Sequence, residues 1–178
     1  VRASLNGASG SDFDYWHVDD FCFNRATPDF VVTKSVEIER DPINEFTNPL
    51  GIPGAWAIYS IQVANTGRGS TDAGTIAIGD AIDAQTSLFT GDFDGLGAPF
   101  EFADGSGASA SGLSLNFTTL GDGTDGVTFR NGSGTSITPN GAFDPSVASF
   151  NLQFDGAMNG AVGGATPSFT IRYRVLIE

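Results

Sequence analysis

Side chains able to do covalent chemistry are scarce in this sequence, and their spacing works against it. The one His, His17, and the one Cys, Cys22, stand five positions apart. On an extended strand that odd interval sends them to opposite faces, roughly 16 Å apart, which is no arrangement for a base-activated thiol. No Gly-x-Ser-x-Gly elbow leads into a helix. Carboxylates are plentiful, but five of the 21 stand in Asp-Gly pairs such as Asp104-Gly105 and Asp155-Gly156, where Asp is explained by hydrogen bonds to its own turn. Glycoside hydrolysis needs two carboxyl groups facing across a cleft, and no such pair is organised here. The expectation is a protein that is not an enzyme.

Two binding chemistries fit the residue types better. Asp92 and Asp94 lie in Gly91-Asp92-Phe93-Asp94-Gly95, and Asp122 and Asp125 lie in Gly121-Asp122-Gly123-Thr124-Asp125-Gly126. Calcium takes six to eight oxygens, and short loops with spaced Asp and permissive Gly can wrap it. The twelve-residue EF-hand spacing is not met, however, and ordinary Asp-Gly turns account for the same residues. Tyr15 and Trp16 alternate on one segment, so one of them faces outward and offers a ring for a sugar face. Trp56, at the start of a strand, reads instead as packing. Lys34, the one Lys in the chain, reads as a surface residue.

The elements that must position these groups are strands. The 178 residues suit one domain with a proper core. Apolar residues make up 40%, too many for a disordered acidic tail. Helical spacing of apolar residues is missing, whereas period-two alternation recurs. Residues 57–64 put Tyr59, Ile61 and Val63 on one face. Residues 168–177 put Phe169, Ile171, Tyr173, Val175 and Ile177 inward, with Arg172 and Arg174 outward. Shorter strands are expected at 30–38, 76–78, 100–102, 113–117, 127–129 and 150–154. Between them stand turn pairs such as Asn131-Gly132 and Asn140-Gly141, where Gly accepts positive φ. Many short alternating strands predict an all-β antiparallel sandwich, with Greek-key connections.

Residues 1–27 stand apart. They carry a single aromatic strand-like run, residues 13–23, ahead of a sandwich over residues 28–178 that can close without it. A lone strand needs partners for its backbone groups. The net charge is 8 − 21 = −13 and the pI about 4.1, which excludes nucleic acid and anionic membrane surfaces as partners. No apolar run reaches the roughly 18 residues of a spanning helix. One Cys excludes an internal disulfide. The start at Val1, without Met, reads as a cut terminus.

Residues 53–67 read Pro-Gly-Ala-Trp-Ala-Ile-Tyr-Ser-Ile-Gln-Val-Ala-Asn-Thr-Gly. This resembles the signature strand of a large family of bacterial Ig-like repeat domains of cell-surface and secreted proteins. The likeness extends to Val32-Thr33-Lys34-Ser35-Val36, to residues 76–82 and to the closing strand at 169–177. It implies an Ig-like sandwich in an extracellular or bacterial cell-surface setting. The run Tyr15-Trp16-His17-Val18-Asp19-Asp20-Phe21 is similar instead to the closing strand of lectin-like or jelly-roll domains, which implies a remnant of a preceding domain.

The functional expectation is therefore structural: a subunit or stalk module of a surface fibre. Its extra N-terminal strand, through Phe13, Tyr15, Trp16, Val18, Phe21 and Phe23, would pair with the sheet edge of a neighbouring copy, making the chain its own main partner. The alternative is a monomeric adhesin or carbohydrate-binding module that takes surface glycans through Tyr15 and Trp16. No cofactor is expected, with calcium at Asp92, Asp94, Asp122 and Asp125 as the exception to test.

Overall fold

The computed structural model describes residues 26–93 and 95–178. Twelve strands make up the regular structure: β1 (Phe30–Arg40), β2 (Trp56–Asn65), β3 (Ala77–Ala81), β4 (Thr86–Phe89), β5 (Glu101–Asp104), β6 (Leu113–Ser114), β7 (Val127–Arg130), β8 (Ser136–Ile137), β9 (Phe143–Asp144), β10 (Ser149–Gln153), β11 (Asp155–Gly156) and β12 (Ser168–Ile177). The one helical turn among the described residues is a 3₁₀ turn at Gly107–Ser109. All the strand pairs are antiparallel.

The first sheet runs β1-β2-β12-β4-β9, with β5 sharing the β4 side of β12; the second runs β3-β10-β7-β8. A separate two-stranded piece pairs β6 with β11. The alternation in β12 decides how the sheets stack. Its Phe169, Ile171, Tyr173 and Val175 are buried while Thr170, Arg172 and Arg174 are half-exposed. The inward rings meet those of the second sheet: Tyr173 lies 5.0 Å from Phe150 of β10 in an edge-on contact, and Phe169 lies 4.9 Å from Phe154. Phe100 links Phe129, Phe150 and Tyr173. The core is thus a layer of aromatic rings between two sheets, with Leu88, Leu152 and Met158 filling the gaps.

The outer face of the first sheet is charged rather than apolar. Arg174 pairs with Glu39 at 2.6 Å, and Arg172 with Glu101 at 2.8 Å and Glu37 at 3.1 Å. Ile58 of β2 lies between Glu37 and Arg174 in register and is buried beneath this canopy. The long stems of Arg cover apolar surface while their heads meet carboxylates.

The strands expected at 30–38, 57–64, 127–129, 150–154 and 168–177 all form. The one expected at 113–117 stops at Ser114. Leu115 and Phe117 still pack on the core, but the backbone beyond is taken by a loop in which Gly126 N–H bonds Asn116 C=O at 2.9 Å. Strands β4, β8, β9 and β11 carry too little alternation to be read locally, being two to four residues long. Long-range partners hold them: β4 lies along β12 through Leu88 opposite Val175.

Candidate functional site

Of the residues singled out for chemistry, Phe13, Tyr15, Trp16, His17, Val18, Phe21, Cys22, Phe23 and Asp94 lie outside the described residues. The remaining acidic candidates are engaged in their own loops. Asp92 Oδ1 accepts the N–H groups of Gly95 and Gly97 at 2.8 and 2.9 Å. Asp122 and Asp125 are brought together around Thr118, whose hydroxyl donates to Asp122 Oδ2 at 2.5 Å and reaches Asp125 Oδ2 at 3.2 Å. Hydrogen bonds from Thr118 first, then from the hydroxyl and N–H of Thr124, hold the Asp122 carboxyl down at about 2. Among the described residues no three His, Cys, Asp or Glu side chains gather around one point. Trp56 is enclosed by the guanidinium groups of Arg40 at 5.0 Å and Arg174 at 5.2 Å and by Phe143 at 5.6 Å, which is a packing role.

Two polar residues outside the candidate set act as structural hubs. Asn65 is fully buried. Its Oδ1 accepts the N–H groups of Asp29 and Gly67, and its Nδ2 donates to the carbonyls of Gly69 and Asn159. It ties the chain entering β1, the turn leaving β2 and the loop before β12 into one knot. Asp41, also buried, accepts N–H groups of Ile43, Asn44 and Leu50 at 2.6 Å each. Burial works to raise its carboxyl, but these bonds outweigh it and hold the group low.

The feature with the properties of a binding surface lies along one side of the sandwich. Strand β1 ends the first sheet and β3 ends the second; each is paired on one side only among the described residues. On β1, Glu37 and Glu39 turn to the charged outer face, so Phe30, Val32, Lys34 and Val36 turn inward. The second sheet is a strand too narrow to cover them. Val32 is 61% exposed, Val36 55% and Phe30 40%. An open groove of about 390 Å³ runs between Phe30 and Val32 of β1, Ile61 and Val63 of β2, and Ile76 and Ile78 beside and on β3.

Lys34 closes the groove at one end. Its ammonium meets Asp80 of β3 at 2.5 Å and sits 4.8 Å over the ring of Tyr59, which stacks on Tyr173 at 5.3 Å. The Tyr173 hydroxyl donates to the same Asp80 oxygen at 2.5 Å. Burial, and then this bond to a carboxylate, push the Tyr173 hydroxyl far up, so that it remains a donor. The expectation of a surface lysine is met in exposure, and the ion pair that fastens β1 to β3 was not legible. Spacing within β1 cannot show which strand will lie across from it.

Among the described residues nothing pairs with the outer edge of β3. Phe154 N–H bonds Ile76 C=O and Ile82 N–H bonds Ala148 C=O. The ladder to β10 therefore uses alternate residues 76, 78, 80 and 82, and the N–H and C=O groups of Ala77, Gly79 and Ala81 face away from it. The run Ala77-Ile78-Gly79-Asp80-Ala81 has no Pro, Lys or bulge, the usual devices that block such an edge. No family model, curated protein or solved structure matches the chain.

Proposed function

We propose that this chain is a non-enzymatic structural module of an extracellular, bacterial-surface fibre, and that copies join by addition of the N-terminal strand-like run, residues 13–23, to a sheet edge of the next copy. The observation that carries this reading is the apolar groove between the end strands β1 and β3, each paired on one side only among the described residues, on a molecule that also has a strand-like run at the front of its sequence. Pairing satisfies the backbone groups of both partners and removes Val32 and Val36 from water. A contact between the front of one copy and the side of the next is heterologous, and repeated it makes a filament. The likeness of residues 53–67 to bacterial Ig-like repeat domains supports the cell-surface setting.

The test compares the full chain with one beginning at Ala26, by light scattering and negative-stain microscopy. Rods or higher oligomers are expected of the full chain, and single particles of the shortened one. Single particles from both at tens of micromolar would overturn the proposal. They would leave the monomeric adhesin or carbohydrate-binding reading, checked by glycan-array binding that is lost on Trp16→Ala.

A further inference from the structure

We infer that the site receiving the donor strand is the groove beneath β1, that the strand adds to the edge of β3 left unpaired among the described residues, and that its occupant is residues 19–23 of a second copy running antiparallel to β3. The inference rests on the fibre reading above and assigns that reading a place, a direction and a register.

The place follows from the widths of the two sheets. The first sheet extends one strand beyond the second, so the inward side chains of β1 overhang open space next to β3. One added strand would complete the second sheet, bond to the outward groups of Ala77, Gly79 and Ala81, and lie beneath Phe30 and Val32. The outer face of β3 presents Ala77, Gly79 and Ala81, small residues that are exposed among the described residues.

The register follows from matching side chains along the groove. Going up β1, the inward row reads Phe30, Val32, Lys34: two apolar steps, then a positive charge. The contact of Lys34 with Asp80 sets one level, and Phe30, Val32, Ile76 and Ile78 line one groove; counting back in step along both strands from that ion pair sets Phe30 against Ile76 and Val32 against Ile78. A donor must offer two large apolar residues two apart, followed by a group suited to an ammonium. Read backward, Phe23, Phe21 and Asp19 do so. An antiparallel strand sets Phe23 opposite Ile76 and Phe21 opposite Ile78. It places Asp19 at the Lys34–Asp80 pair, where one ammonium is shared between two carboxylates. Cys22 then falls opposite Ala77 on the outer face.

A second copy, rather than the same chain, follows from reach. Residues 26–29 run along the turn after β2: Thr66 N–H bonds Asp29 C=O at 2.7 Å and Gly69 N–H bonds Thr27 C=O at 3.0 Å. The approach is so close that a Cβ on Gly67 or Gly69 would come within 2.4 Å of backbone atoms of residues 26–29. Four extended residues put Ala26 about 13 Å beyond Phe30. To set Phe23 level with Phe30 in its own groove, the chain would have to return that distance in three residue steps, which span at most about 11 Å. The matched register is out of reach within one chain and open to a neighbour.

The lone Cys22 is the reporter. The full chain carrying Ala77→Cys is assembled, oxidised mildly and run without reductant. A ladder of disulfide-linked multimers is expected, absent when Cys22→Ser is added. It should also be absent in the full chain carrying Val31→Cys in place of Ala77→Cys, because Val31 lies on the other face of β1. Residues directly opposite on paired strands stand within disulfide range, about 5.5 Å between Cα atoms. A disulfide closed within single chains would overturn the second-copy occupant. Rods of the Ala77→Cys chain that form without linkage, or equal linkage in the Val31→Cys chain, would overturn the groove and register while leaving the fibre reading standing. Absence of any assembly of the unsubstituted chain overturns that reading itself.

Discussion

Asn65 is the residue on which the entry of β1 and the exit of β2 depend. It satisfies two N–H groups and two carbonyls from three separate segments, and its bond to Gly69 C=O is fully buried, so its removal leaves a buried carbonyl unpaired as well as untying those segments. Asn65→Ala is expected to cost roughly 2–3 kcal/mol, read as a lower urea midpoint with an unchanged slope. The sequence marks this position only as the Asn of an Asn-Thr-Gly turn. That it is a buried hub depends on Asn159, which lies 94 residues away in the chain. Lys34 behaves in the same way: its residue type was legible, whereas its partner Asp80 and the Tyr173 hydroxyl beyond it come from two other strands.

Among the elements, the loop between β6 and β7 shows what the acidic turns do. Thr118, Thr124, Asp122 and Asp125 form a closed set of hydrogen bonds, so the carboxylates that suggested calcium are already engaged by donors of their own loop. The Asp122 midpoint is expected at about 2 in the folded chain, against about 3.9 unfolded. Because the folded value is the lower, the contribution of Asp122 to stability is present above the unfolded value and is lost as the pH falls through about 2. Side-chain NMR titration should show the low midpoint, and Thr118→Val should move it upward. A large upward shift of the melting temperature on adding calcium at neutral pH would show instead that the ion displaces these bonds.

The strands themselves divide by length. β2 and β12, ten residues each, announce themselves by alternation and by the apolar row they bury. β9 and β11, two residues each, have no period to read and exist because a longer neighbour holds them. At β1 local reading stops short in another way. Its alternation identifies a strand and its more apolar row, Phe30, Val32, Val36 and Ile38, but does not tell how much of that row a second sheet will cover. Glu37 and Glu39 pair with Arg172 and Arg174 on the other face, and among the described residues Phe30, Val32 and Val36 stay largely uncovered.

For the whole molecule the charge of −13 opposes any association of copies. Screening shortens the reach of that repulsion to about 10 Å at 0.1 M salt, while backbone pairing in an apolar groove is little affected. Assembly of the full chain is therefore expected to proceed faster at about 0.3 M than at about 0.02 M sodium chloride, followed by light scattering. A rate that falls with salt would show that attraction between opposite charges, rather than strand pairing, drives the contact.

Residue order alone points to an all-β protein with an aromatic core and acidic turns, and shows an alternating aromatic run at residues 13–23. Alternation and Asp-Gly and Asn-Gly turns are properties of neighbours along the chain, and net charge is a property of composition. Three facts belong to the folded molecule instead: one sheet is wider than the other, Lys34 bridges to Asp80, and the side between β1 and β3 stands open among the described residues. They depend on which strands pair and in what register. Pairing is settled by burying side chains from distant segments against one another, so no local pattern carries it.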